Sequence, residues 1–437
     1  MRHGLSVAPH SHRSRRRSAA LLLSLTLVAA APVSGAQPPA DADPAVITTW
    51  NQIAVSNLTL PVVSGGPGKT PPEAFLYFGF VHAAMYNAVV GITGEYELYR
   101  WNARAPKGAS PEAAAAAAAH RVLDTYIGGV GSIGATLDAA LANSLADIPD
   151  GPPKDQGIRY GERAADRIIA MREDDGRNAA VTVPAATEPG DWEPTPPGFI
   201  PFVTPWYGGV DPLLTASAMQ FAPGPPPAIN SALYVTEFNE VRDYGRAEPD
   251  SLRNAEQTRI ARFFAEIPVG PMQKSLRDLA AARNLSISDA ARMFAAVEMS
   301  AADALATVWQ AKLQYMWWRP IQAIRLADGD GNPATASVEN WNPLITTPPY
   351  PDWPSGLCSV VGSVTTVLDR LYGSVDLTIA SPTWGTRSYS DKATLDAEAV
   401  NARVWSGIHF RTADQKSITI GTQVADLALD QYFAPAD

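Results

Sequence analysis

Residues 286–320, SISDAARMFAAVEMSAADALATVWQAKLQYMWWRP, decide the fold. Ser286 or Ser288 is a helix-capping residue type, and no proline follows until Pro320. Phe294, Val297, Ala301, Leu305 and Val308 recur at steps of three and four, which gives one apolar stripe and predicts a long helix running to about Trp318. Continued, the stripe lands on Lys312, Tyr315 and Arg319, so both cations fall in phase with the buried face. Burying two positive charges without partners costs several kcal/mol each, so the pattern asks for an anion or carboxylates beside them. Pro320 disfavours helical geometry at Arg319, and the helix should stop there.

The same helical periodicity recurs on both sides. Helices are expected at about 74–90, 113–127, 133–147, 154–173, 228–243, 250–266, 271–283, 355–371, 393–404 and 412–433, with room for one short hairpin within 374–392. Strand signals are otherwise scarce, and the chain reads as all-α. Residues 174–226 interrupt the helices with seven prolines between Pro184 and Pro205, interleaved with Trp192, Phe199, Phe202, Trp206 and Tyr207. Large aromatics favour burial, so this tract is expected to be an ordered loop over the helices that roofs a pocket.

The organisation follows from composition. Residues 1–36 carry Arg13, Arg15, Arg16 and Arg17, then an apolar run from Ala19 to Ala31 and small residues at Ser34-Gly35-Ala36. That is the pattern of a secretory signal peptide, too short to span a bilayer, and it permits either the Sec or the twin-arginine route to a secreted or periplasmic location. Residues 37–57 read as a flexible Pro/Ala/Asp-rich arm, 58–285 as an N-terminal helical region and 286–437 as a C-terminal helical region forming one unit with it. Removing residues 1–36 takes away five arginines and no acid, which moves the formal charge from −10 to −15. Such a surface argues against nucleic acid, and any anion site must be a local cationic pocket. No membrane partner is expected once the signal is removed, and homo-oligomerisation is left open. The single cysteine, Cys358, excludes an internal disulfide; it reads as a small buried apolar residue or a reactive thiol.

Two more blocks complete the candidate site. Trp353-Pro354-Ser355-Gly356-Leu357 reads as a helix start, where free N–H groups and the helix dipole attract an oxyanion. Arg403-Val404-Trp405-Ser406-Gly407-Ile408-His409 adds an arginine and an imidazole, with Ser406-Gly407 allowing the bend that would turn both side chains into one cavity.

Lys312-x6-Arg319-Pro320, then Pro354-Ser355-Gly356, then Arg403-x5-His409 resembles the three-part signature of the vanadium-dependent haloperoxidases and the related type 2 phosphatidic-acid and bacterial acid phosphatases. Residues 350–356 and 407–411, with 81–86 and 302–325, are similar to the haloperoxidase branch. The resemblance implies a helical bundle of that type with long ordered loops, and a pocket for vanadate or phosphate. It further implies that Lys312, Arg319 and Arg403 bind the equatorial oxygens, that Ser355 and the Gly356 amide add hydrogen bonds, and that His409 bonds the vanadium. Lys312 and His409 would then serve a peroxide-dependent oxidation of halide, acting on hydrogen peroxide, halide and a small organic substrate. Three fixed cations with N–H donors also suit the trigonal-bipyramidal state of phosphoryl transfer, so an acid phosphatase is an alternative, as is a non-catalytic or vanadium-free oxyanion binder. Two positions depart from the pattern. Leu357 stands where the resemblance implies a histidine proton donor, and leucine transfers no proton. Ala413 stands where a carboxylate is implied, with Asp414 one residue on as the possible orienter of His409.

Overall fold

A computed structural model describes residues 42–60, 68–247 and 249–436. The signal-peptide reading lies outside the described residues, as does the start of the expected arm. The rest of that arm is not loose: Ala45–Leu58 is a helix, α1, that buries Ile47, Trp50, Ala54 and Leu58. Their spacing of three, four and four residues is an amphipathic stripe, and it packs on the neighbouring helices.

The bundle is built on α2 (Pro71–Thr93) and α9 (Ile287–Tyr315), which pack along each other. A Thr70/Glu73 capping box opens α2, and Gly94 closes it in the left-handed region at φ 74°. This helix is long and apolar enough to cross a membrane, yet it is the core of the protein, with 94% of its most apolar window buried. Helices α3 (Pro111–Leu123), α4 (Ile133–Ala146) and α5 (Pro152–Met171) cover one flank of α2. Helices α6 (Ala232–Tyr244), α7 (Ala255–Glu266) and α8 (Gly270–Ala282) follow the long loop. After α9 come a short α10 (Pro320–Leu326), α11 (Gly356–Tyr372), the antiparallel pair β1 (Leu377–Ser381) and β2 (Gly385–Tyr389), α12 (Lys392–Trp405) and α13 (Arg411–Gln431). The all-α expectation holds; among the described residues that hairpin is the one sheet.

The other face of α9 carries α11 and α13, which cross at their glycines. A Cβ at Gly421 would lie 2.1 Å from the Ser359 carbonyl oxygen, and one at Gly362 would lie 2.5 Å from that of Ile418. Only glycine permits this approach, and it brings the start of α11 against the start of α13. The 174–226 loop is ordered over the bundle. Buried Asp303 of α9 accepts hydrogen bonds from the N–H groups of Leu213, Leu214 and Thr215, the first two at 2.7 Å and the third at 2.8 Å.

One expectation fails at the end of α9. The helix stops at Tyr315, and Met316 turns into the left-handed region at φ 43°. The backbone groups released there are claimed by the proline-rich loop, with Trp192 N–H on the Met316 carbonyl at 2.6 Å and Trp318 N–H on that of Gly190 at 2.8 Å. Lys312 and Arg319 therefore do not share one helical stripe; an extended link separates them. Pro320, read only as a stop, also serves as the first residue of α10.

Candidate active site

Three chain segments bring the cations together: the end of α9 for Lys312, the link into α10 for Arg319, and the last turn of α12 for Arg403. Gly407, at φ 77°, makes the bend between Arg403 and His409; a Cβ there would lie 2.3 Å from the Gly245 carbonyl oxygen, so the position admits no side chain. A satellite apolar cluster, including Tyr234, Trp318, Trp341 and Phe410, braces the segments that carry Arg319 and His409 from behind.

All four groups are buried, Lys312 and Arg319 at 0%, His409 at 1% and Arg403 at 7% exposure. Lys312 Nζ donates to the carbonyls of Pro351, Asp352 and Pro354, so each hydrogen of the charged ammonium has an acceptor. It thereby pins the 351–354 segment that leads into α11. Arg319 Nε donates to the Tyr350 carbonyl at 2.7 Å and Nη1 to that of Ile408 at 2.7 Å, with Nη1 also 3.1 Å from His409 Nε2. Arg319 Nη2 and Arg403 Nε are buried and have no hydrogen-bond partner among the described residues. Ser355, the cap of α11, is fully buried with its hydroxyl beside the carboxyl of Asp414 and the thiol of Cys358. Gly356 opens α11 with its N–H among the free donors of a helix start.

A carboxylate that the sequence reading passed over stands against the imidazole. Asp352 Oδ1 lies 2.7 Å from His409 Nδ1 and 3.6 Å from Arg319 Nη1. Asp414, expected in that role, instead accepts from Cys358 Sγ at 3.4 Å. The signal for Asp352 was present in Tyr350-Pro351-Asp352-Trp353-Pro354: a carboxylate set among aromatic and proline residues three positions before the oxyanion cap. Cys358 is buried, and burial with nearby Asp414 pushes its thiol well above the usual range, so the nucleophilic thiolate is suppressed.

The electrostatics leave a positive surplus. Burial pushes Asp352 up to about 7 against the pull of Arg319 and Lys312, and burial raises Asp414 well above the carboxylate range. Burial and then Arg319 push Lys312 well below the ordinary lysine range, while its three carbonyl acceptors favour the charged form; the two guanidiniums alone already leave a positive surplus over the two raised acids at neutral pH. Burial, followed by Arg319, Lys312 and Arg403, holds His409 well below the ordinary histidine range, which keeps the ring neutral with a lone pair to offer.

The site forms the floor of a cavity of about 470 Å³, lined on one side by His409, Arg403 and Gly356 and elsewhere by mostly apolar residues including Leu357. Val203 from the proline-rich loop lines it too. Neither spare histidine comes near. His82 stacks on Phe294 at 5.0 Å, eighteen residues up α9 from Lys312, or roughly 27 Å along the axis. His120 pairs with Asp138 at 2.9 Å beside α4.

Comparison with known proteins places this geometry. Residues 292–436 match the model of the VCPO second helical-bundle domain. The chain is 24% identical over 403 residues to the vanadium chloroperoxidase of Curvularia inaequalis, across 75% of this chain and 65% of the relative's length. The likenesses converge on the vanadium haloperoxidases. Among solved structures, a bacterial vanadium-dependent iodoperoxidase superposes with a TM-score of 0.72 at 23% identity, covering 92% of this chain and 99% of that one. The holo form of a bacterial vanadium-dependent chloroperoxidase superposes with a TM-score of 0.66 at 17% identity, covering 87% and 96%. At such identities these structures establish the shared helical architecture.

Vanadate is the group that the names of these relatives imply, and the residues fit it. Arg319 Nη2 and Arg403 Nε are orphaned buried donors, the free end of α11 lies beside them in the fold, and three cations outnumber the two acids. Arg319, Arg403, Ser355 and the Gly356 amide supply donors for a tetra-oxo anion, and His409 supplies a neutral nitrogen. Lys312 differs from the expectation of a direct oxygen ligand, since all its hydrogens are taken by backbone carbonyls.

Proposed function

We propose that this protein is a secreted vanadium-dependent haloperoxidase-like enzyme that oxidises halide with hydrogen peroxide at a vanadate held by His409. The observation that carries this reading is the pair of orphaned buried donors, Arg319 Nη2 and Arg403 Nε, in a pocket whose cations exceed its acids. An unpartnered buried donor costs about 1–3 kcal/mol, a cost that an oxyanion accepting from both would relieve. Vanadate, when bound, would supply the electrophilic centre at which peroxide is activated. Arg319 and Arg403 hold the equatorial charge, and the Ser355-Gly356 helix start adds directed donors. Neutral His409 presents its nitrogen, with Asp352 fixing the ring from the Nδ1 side. Lys312 acts at one remove. Its ammonium clamps the 351–354 segment, so it sets the positions of both Asp352 and Ser355 and adds positive potential.

A phosphatase using the same pocket is disfavoured by Leu357, because among the described residues His409 is the one imidazole in the site and no second one can protonate a leaving group. Reconstitution with vanadate followed by bromination of a diketone reporter with peroxide is the test. Vanadate-dependent bromination is expected, with little turnover of an aryl phosphate. Aryl-phosphate turnover without bromination would reverse the assignment. Failure in both assays with vanadate still raising the melting temperature would leave a non-catalytic oxyanion binder. Export by the residue 1–36 signal is part of the same proposal and is checked by N-terminal sequencing of secreted protein.

A further inference from the structure

The cavity above the oxyanion floor is more than an access path for small inorganic reactants. Its walls are Phe75, Leu305, Trp309, Pro349, Leu357 and Val360. Trp309 and Tyr350 stand with ring centroids 5.0 Å apart at an interplanar angle of 54°, which gives that wall two aromatic surfaces. At the rim, Pro71, Ala265 and Thr346 are exposed, so the cavity opens to solvent there and ends at His409, Arg403 and Gly356. Water, peroxide and halide gain nothing from such walls. A cavity of about 470 Å³ lies within the range of sites for organic ligands, which are mostly apolar with a few convergent polar groups. Charge narrows the class further. Among the described residues no carboxylate lines the cavity, so none there recognises a cation, and an anion would compete for Arg403 with the oxyanion. Leu357 sits on this wall, where an imidazole would put a polar group in the apolar surface.

We propose that this cavity binds a neutral, largely apolar aromatic molecule of about bicyclic size, with Leu357 as a specificity-determining part of its wall. The bound molecule is the organic substrate of the haloperoxidase reading, on which the proposal rests, held next to His409 and Arg403 before halide is oxidised. Leu357 is then a contact surface for the organic acceptor rather than a bare loss of a proton donor.

The test uses calorimetric titration of the vanadate-free protein with 2-naphthol, against myo-inositol as a polar probe of comparable bulk. One 2-naphthol per chain is expected, with a Kd of about 10–100 μM, and no binding of myo-inositol. Leu357→Asn should weaken 2-naphthol about tenfold by removing most of a leucine contact. Val360→Phe, which fills the cavity from one helical turn further along the same wall without adding polarity, should abolish binding while leaving the vanadate-induced rise in melting temperature intact. Absence of 2-naphthol binding at about 1 mM, or wild-type affinity in both variants, overturns the proposal. Intact 2-naphthol binding without any response to vanadate would overturn the haloperoxidase reading and leave the aromatic site standing.

Discussion

Two buried polar clusters hang on the same helix and differ in kind. Near the start of α9, Glu298 accepts from Gln273 Nε2 at 2.7 Å, Gln273 accepts from Asn51 Nδ2 at 2.7 Å, and Asn51 lies 3.1 Å from His82. Near its end stand Lys312, Arg319, Arg403 and His409. Both clusters contain a fully buried histidine and at least one buried acid. In the first, amides link the two titratable groups, with the half-buried Arg277 donating to Asn51 Oδ1 at 2.6 Å from outside: burial lowers His82 to about 3 and raises Glu298 to about 8, so both are uncharged at neutral pH. In the second, the guanidiniums of Arg319 and Arg403 cannot shed their charge, and two of their donors have no partner among the described residues. Both clusters hold unpartnered buried atoms, His82 Nδ1 and Glu298 Oε2 in the first, so the contrast teaches that a surplus of fully buried charge, rather than a buried histidine or an orphaned atom alone, marks the site.

The contrast breaks most sharply if the histidines are exchanged in role. His409→Ala should lower vanadate-dependent bromination at least about 10³-fold with a melting temperature within a few degrees of wild type. His82→Ala should keep turnover and cost about 2–4 kcal/mol of stability, read by denaturant unfolding. Equal losses of activity in the two would erase the distinction.

A second comparison separates binding from orientation. Asp352→Asn keeps the size of the carboxylate but not its charge, and turnover should fall about 10–100-fold while vanadate still raises the melting temperature. Asp414→Asn should affect turnover less; the reverse order would show that the ring is held from the other side.

Leu357→His offers a milder effect of opposite sign. It adds a proton donor next to the cationic floor, and bromination of a small diketone should rise by up to about tenfold. An unchanged or lower rate would mean that the wall contact outweighs the missing acid.

The smallest effect belongs to Glu298. Its folded-state value of about 8 lies above the ~4.3 of an unfolded glutamate, so the folded protein binds more protons between those limits and stability falls as pH rises through them. Glu298→Gln removes that slope. Its melting temperature relative to wild type should rise by roughly 1–3 °C at pH 8.5 and by less at pH 5.

Much of this was legible in the chain because helical periodicity is strong. The stripe Phe294 to Val308 and the capped, proline-opened segments declared an all-α bundle, and three short motifs named the cations. What escaped depends on tertiary partners. The end of α9 at Tyr315 is set by hydrogen bonds to a loop more than a hundred residues earlier in sequence, which no local pattern encodes. α1 was masked by its Pro/Ala/Asp-rich surroundings, although Ile47, Trp50, Ala54 and Leu58 carry a readable stripe. Asp352 was missed because a single carboxylate in a Pro-Trp context has no period; only the convergence of residues 352 and 409 reveals it.

The central claim is that the cationic floor exists to hold an oxyanion, and equilibrium binding of vanadate tests it most directly. Titration of the purified protein should show one vanadate per chain. With Arg403→Ala the affinity should fall about 10–100-fold, as loss of a charge-assisted donor requires. Absence of vanadate binding in the wild type, or an affinity indifferent to Arg403, would contradict the account.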